Sequence, residues 1–166
     1  NNIPISSVAT VIEGKKWSDN DVVTHIIKEV KKNNINIILP FIDTAMPIIC
    51  KLREKLDIFF PLSDDRLLES LYNKKDAQNI FIELENINVP QIKTSAPLIC
   101  KPIYGAASKG IYICEDDYDL SHFMKKNKSD DYIFQELING EEYSIDAYIN
   151  KNRYINCIVP RKREVV

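Results

Sequence analysis

The stretch Leu98–Cys114, LICKPIYGAASKGIYIC, decides how the rest of the chain is read. An apolar run carrying one lysine, Lys101, leads into a loop of small residues with Gly105, Ser108 and Gly110, and a second apolar run follows. Four glycines occur in 166 residues, and this loop holds two of them. The two apolar runs predict strands over Leu98–Ile103 and Gly110–Cys114 with the loop between them. GAASKG matches neither of the glycine patterns that lead from a strand into a helix and hold phosphate there. A plain hairpin turn is one reading of it. A phosphate cradle is the other, because backbone N–H groups in a tight turn of small residues converge on an anion without side-chain interference.

Two neighbouring features bear on that choice. Lys101 lies inside an apolar strand, where a charge without a partner is costly, and a phosphate would supply the missing anion. Further on, YIFQELINGEEYSID (Tyr132–Asp146) sets Gln135 and Glu136 at the end of a strand, with Leu137 and Ile138 after them. Gly140 and the acidic pair Glu141 and Glu142 come next. A strand leaving a sheet in this way can offer a backbone N–H and C=O to an adenine, and a carboxylate a few residues on can hold ribose hydroxyls. Each piece alone reads equally as a surface acid or an edge-strand glutamine; their order in one chain is the signal.

Outward from this centre, Ser18–Lys32 reads as an amphipathic helix with Val22, Val23, Ile26, Ile27 and Val30 on one face and Ser18 or Asp19 as cap. Ile35–Phe41 (INIILPF) is a continuous apolar run suited to a strand buried on both faces. Asp43 and Thr44 open a second helix that tolerates Pro47 in its first turn and turns Ile48, Ile49, Leu52 and Leu56 inward. Asp57–Phe60 is a further short strand, so the first half predicts a doubly wound parallel α/β unit. Helices are expected over Ser63–Asn73 and Lys74–Ile87, then a crossing loop, Asn88–Thr94. The second half predicts antiparallel α+β structure: the two strands flanking the loop, a helix over Asp116–Lys126, and strands at Tyr132–Leu137, Glu142–Ile149 and Tyr154–Val159. Asn150–Arg153 (NKNR) reads as a hairpin turn.

Composition narrows the function classes. With 45% hydrophobic and 28% charged residues the chain is an ordinary core-forming protein. A net charge of −2 and a pI near 5.8 give no basic field for a nucleic-acid backbone. No apolar run approaches the roughly 20 residues of a membrane span, so no membrane partner is expected and the chain reads as cytoplasmic. Cys50, Cys100, Cys114 and Cys157 are scattered without a CxxC pair, as reduced cysteines filling core space would be. His25 and His122 read as satisfied or surface histidines, and Trp17 and the eight tyrosines are too dispersed for a stacking platform on nucleic acid. Adjacent Ser108 and Lys109 do not make a nucleophile–base pair, since neighbours in sequence rarely face each other. The final strand-like run and its terminal valines read as a piece cut from a longer polypeptide.

NKKD at a helix start, the PxICKP strand before a small-residue loop ending in SKG, and FQELINGEEYSID together resemble the ATP-grasp superfamily, in particular its carbamoyl-phosphate-synthase-like and carboxylate–amine ligase group. The resemblance covers roughly the whole chain. It implies a partial pre-ATP-grasp, Rossmann-like α/β domain over residues 1–72, and over 73–166 the first part of an ATP-grasp domain that stops before its metal-binding part. It implies that Lys74 opens the ATP-binding region, with Asn73 where an Asp is usual, and that Lys101 contacts nucleotide phosphate. Gly105–Gly110 would close over the phosphates, with Ser108 placed to donate hydrogen bonds. Gln135 stands where Glu is usual near the adenine amino group; Glu136 would offer its carbonyl and Ile138 its N–H to adenine, and Glu142 would bind ribose. Arg161 and Arg163 would hold the γ-phosphate or an acyl phosphate as the catalytic pair, a role suited to bidentate arginine.

The implied function is the ATP-binding portion of an ATP-dependent carboxylate–amine ligase that works through an acyl-phosphate intermediate. ATP is the implied cofactor, with Mg2+ in the full-length protein held by acids that would follow the PRKR segment, so no metal ligand is assigned here. Small-molecule carboxylate and amine substrates are the implied partners, homo-oligomerisation is left open, and this chain alone is not expected to complete a catalytic cycle. The alternative is a non-catalytic nucleotide-binding or interaction module ending near Val166. A third reading makes the chain an ordinary α/β domain whose lysines are solvated and whose loop is only a turn. Asp43, at the end of an expected parallel strand, is read first as a helix cap and second as a substrate-side residue.

Overall fold

The computed structural model describes residues 7–106 and 108–164. Helix α1 (Val22–Lys32) forms where the apolar stripe was expected, and α2 (Met46–Arg53) follows a short 3-10 turn, Asp43–Ala45. Their facing stripes build one core from Val22, Ala45, Ile48, Ile49, Leu52 and Phe60, with Val23, Ile26, Ile27 and Leu56 packed against it. Pro47 sits in the first turn of α2, where its missing N–H has no intrahelical acceptor to lose. Neither Ser18 nor Asp19 caps α1, which begins after Asp21. Asp19 instead closes a turn ahead of the helix, accepting from Lys16 N at 3.1 Å through its side chain.

The doubly wound parallel sheet expected of the first half is not formed by the described residues. Ile35–Phe41 and Asp57–Phe60 do run parallel, but they meet in a single bridge, Ile37 to Phe59. Two backbone bonds carry it, Ile38 N to Phe59 O at 3.1 Å and Phe59 N to Asn36 O at 2.9 Å. A parallel strand needs cover on both faces, and here Leu39, Phe41 and Phe59 are exposed. The apolar run is real, but among the described residues it gains no further pairing partner that would turn it into a ladder.

Helices α3 (Asp65–Tyr72) and α4 (Lys74–Ile82) are joined by one residue, Asn73. Asp64 caps α3, accepting from Leu67 N at 3.0 Å, and Asn73 caps α4 by accepting from Lys75 N at 2.9 Å. The second helix is shorter than its periodicity implies. Past Ile82 the chain continues in tighter turns, Leu84 N to Phe81 O at 3.1 Å and Ile87 N to Leu84 O at 3.3 Å. Such turns keep much the same apolar spacing as an α-helix, so the sequence pattern does not separate the two.

The second half is antiparallel as expected. Strand β1 (Leu98–Pro102) lies between β2 (Tyr112–Cys114) and β3 (Tyr132–Glu136). Leu98 pairs with Cys114 and Glu136, and Cys100 pairs with Tyr112 and Phe134. Alternation along β1 sends Leu98 and Cys100 into a second core with Cys114 and Phe123 of α5 (Asp117–Lys126). The opposite face carries Ile99, Lys101, Ile133 and Gln135, with Gln78 of α4 bonded to it. Strands β4 (Tyr143–Ile149) and β5 (Ile155–Lys162) form a separate two-stranded sheet around the Asn150–Arg153 turn. That turn is closed by Arg153 N to Asn150 O at 2.9 Å. Strand β5 runs three residues past the expected Val159, which puts Arg161 within the ladder, opposite Ser144.

Candidate functional site

Helix α4, the loop after β1 and the end of β3 converge on the two lysines singled out in the sequence. The capping of α4 by Asn73 sets Lys74 at its first turn, and Lys74 N donates to Ile103 O at 3.0 Å. The Lys74 ammonium then reaches across to donate to Gly105 O at 2.9 Å. The helix start is thereby tied to the root of the glycine loop. Tyr104 reinforces the tie: its ring packs on Tyr72 at a centroid distance of 5.3 Å, and its hydroxyl accepts from Asn73 Nδ2 at 3.3 Å.

The loop itself has backbone geometry suited to a cradle. Gly105, Ser108 and Gly110 all adopt positive φ, at 133°, 56° and 74°. A Cβ at Gly110 would stand 2.9 Å from Pro102 Cγ, so space as well as φ requires glycine there. Among the described residues the one backbone bond within the loop is Lys109 N to Ala106 O at 3.4 Å.

Lys101 is half-buried, and its ammonium donates to Gln135 Oε1 at 3.0 Å. Burial pushes it below the ordinary lysine range, with the nearby Glu142 carboxylate opposing that shift. Lys74 is lowered too, first by burial and then by the charge of Lys101, while Asp43 opposes the shift. Two mutually repelling ammonium groups beside a glycine loop form a place that a polyanion would stabilise.

Glu142 stands just before β4 and forms an ion pair with Arg163, which also donates its backbone N–H to Glu142 O at 2.7 Å. Two positions back from Arg163 and four on from Glu142, Arg161 Nε meets Asp146 Oδ2 at 2.6 Å, and Lys162 pairs with Glu141. The structure thus brings together Lys74, Lys101, Gly105 and Gln135, with Ser108 and Gly110 on the same loop as Gly105, and Glu142 and Arg163 linked to the group through the Lys101 field. Arg161 is set apart with Asp146, whose carboxyl it holds below the usual range by donating this hydrogen bond.

At the end of β3 the details refine the sequence reading. The amide oxygen of Gln135 accepts from Lys101 at 3.0 Å, which uses one of its two lone pairs. The Glu136 side chain is also engaged, accepting from Gln91 N at 2.9 Å, while Ile138 is exposed. Asp43 makes no side-chain cap at the positions that open the 3-10 turn or α2; its carboxylate acts instead on Lys74 across the site. Gln78, Tyr72 and Tyr104 were not anticipated. The one sequence trace of Gln78 is its spacing of four from Lys74, which stacks the two on one helix face. Among the described residues no group of three His, Cys, Asp or Glu side chains is placed to hold a metal ion, and no helix is long and apolar enough to cross a membrane.

Residues 73–163 match the ATP-grasp domain family. The chain belongs to that family. Its fold is similar to three solved structures at low sequence identity. One is purK, N5-carboxyaminoimidazole ribonucleotide synthetase, in complex with ADP, with a TM-score of 0.74 and 14% identity over 99% of this chain and 46% of that one. Another is the biotin carboxylase domain of Hydrogenobacter thermophilus 2-oxoglutarate carboxylase, solved with MgADP, ADP and bicarbonate (TM-score 0.64, 14% identity, 90% of this chain and 38% of that one). The third is Rhizobium etli pyruvate carboxylase (TM-score 0.62, 15% identity, 91% of this chain and 15% of that one). The chain therefore spans less than half the length of each. No curated protein sequence matches it.

Proposed function

We propose that this chain is the nucleotide-binding front part of an ATP-dependent carboxylate–amine ligase. The observation that carries the reading is the pairing of two burial-depressed lysines, Lys74 and Lys101, with the positive-φ loop Gly105–Gly110. Lys101 and the loop amides would hold the phosphates, and Lys74 would exchange Gly105 O for a phosphate oxygen. Glu136 and Ile138 would read the adenine through their backbones, and Glu142 the ribose hydroxyls. Arg163, and Arg161 once released from Asp146, would steady the γ-phosphate or an acyl phosphate. ADP in two of the similar structures, one of them with magnesium, supports nucleotide and Mg2+ as ligands of this fold.

ATP would supply the phosphoryl group that activates a carboxylate, and Mg2+ would neutralise charge on the phosphates. The chain's own residues position and stabilise charge, which is most of what such a reaction asks of a protein. A start of the family match at residue 73, and separate cores on either side of it, support a division into a partial pre-ATP-grasp domain over 1–72 and the first part of an ATP-grasp domain over 73–166. A small carboxylate and an amine as substrates and a cytoplasmic setting complete the proposal.

Isothermal titration with ATP, with and without Mg2+, tests it. Saturable binding by the unaltered chain and a rise in Kd of at least about tenfold in Lys101→Met, equivalent to about 1.4 kcal/mol, are expected. Equal affinity in the two proteins would overturn the role of Lys101, and no binding by the unaltered chain would overturn the nucleotide site.

A further inference from the structure

Gln78 and Gln135 are the two buried polar side chains of the described residues, each 8% exposed. They are bonded to each other, Gln135 Nε2 donating to Gln78 Oε1 at 2.6 Å. The bond belongs to a longer series that runs in one direction. Lys101 Nζ donates to Gln135 Oε1 at 3.0 Å, and Gln78 Nε2 donates to Pro90 O at 2.9 Å. An ammonium can only donate and a carbonyl oxygen can only accept, so the two ends of the series fix both amides between them. If either amide turned over, N–H would face N–H or oxygen would face oxygen inside a buried layer, and the groups left unpaired would each lose their desolvation compensation.

We propose that Gln78 is a positioning residue for Lys101: by holding the Gln135 amide with its oxygen toward the ammonium, it keeps Lys101 in place with a neutral partner and leaves its charge for an anionic ligand. A carboxylate at position 135 would pair with the ammonium as a charge and hold it without help from Gln78. The neutral amide does not offset the burial of Lys101, in line with the direction of its ionisation shift. This inference rests on the nucleotide-site reading for the identity of the anion, but the state of the Lys101 ammonium can be read without any ligand.

The test follows the Lys101 side-chain resonance, isotope-labelled at Cε, through a pH titration of the full chain, alongside ATP titrations. Gln78→Met keeps the size of the side chain and removes both amide bonds. It should lower the Lys101 pKa and weaken ATP binding about three- to tenfold. Gln135→Glu should raise the Lys101 pKa by about 1 unit or more, as an opposite charge at hydrogen-bond distance does. Should Gln78→Met fail to fold, Gln78→Asn takes its place: its amide is one methylene too short to keep both bonds, and the same lowered Lys101 pKa is expected. An unshifted Lys101 pKa in folded Gln78→Met, or a lowered one in Gln135→Glu, would overturn the proposal. If the pKa shifts appear and the unaltered chain binds no ATP, the nucleotide reading fails and the control of Lys101 by Gln78 stands.

Discussion

The sheet β2–β1–β3 and the hairpin β4–β5 are both antiparallel, yet they are held together in different ways. In the first, Leu98, Cys100 and Cys114 are fully buried, and Phe123 meets Tyr132 edge to face at 4.9 Å. In the second, every residue of β5 is exposed, and the strands are joined by their backbone ladder and by the pairs Arg161–Asp146, Lys162–Glu141 and Arg163–Glu142. Exposed ion pairs contribute little individually and are screened by salt, whereas burial of apolar area is not. The candidate site is assembled from both kinds of structure. Lys101 and Gln135 come from the packed sheet, Glu142 and Arg163 from the exposed hairpin. One wall of the site is therefore backed by a buried core and the other is exposed.

Truncations should separate the two regions most sharply. Leu98→Ala removes fully buried volume and should cost about 2–5 kcal/mol in denaturant unfolding. Ile145→Ala, on the 67% exposed face of the hairpin, should stay within about 0.5 kcal/mol of the unaltered chain. Comparable losses would mean that the hairpin has a core of its own. Between these extremes, Gly110→Ala must place a Cβ against Pro102 at φ 74° and should cost about 1–3 kcal/mol.

The pH dependence sharpens the contrast with a sign. Lys101 is depressed in the folded chain, so between its folded value and the ordinary lysine value the unfolded chain binds more protons, and stability rises with pH there. Lys101→Met should therefore gain stability relative to the unaltered chain at neutral pH, and the gap should close as pH rises through the depressed value toward 10.5. A gap that holds constant across that window would remove the ionisation argument. The smallest effect belongs to the hairpin: Arg161→Ala should leave the thermal midpoint unresolved from that of the unaltered chain in 0.5 M salt.

What the sequence made legible follows the same division. The loop of Leu98–Cys114, the strand lysine and the order of acids after Tyr132 were readable because each is a local pattern: period-2 alternation, a charge out of place, two glycines in one turn. The asparagine cap that sets Lys74 was partly readable, since NKKD marks a helix start. The parallel sheet was only partly legible because an apolar run records burial but not whether pairing partners exist, and among the described residues the parallel pairing is the single bridge Ile37–Phe59. Gln78 could not have been found: a glutamine on a helix is ordinary until the fold lays it against Gln135, 57 positions away. The Glu142–Arg163 pair was hidden for the same reason, since it depends on a strand register fixed only when the hairpin closes.

Amide hydrogen exchange with and without ATP tests most directly whether a core-backed sheet and an exposed hairpin meet at a nucleotide. The account predicts slow exchange in β1 and β3 in both states, fast exchange in β4 and β5 without ATP, and new protection on adding ATP at residues 105–110 and around Glu142. Protection of neither segment, or a hairpin already as slow as β1 before ATP is added, would contradict it.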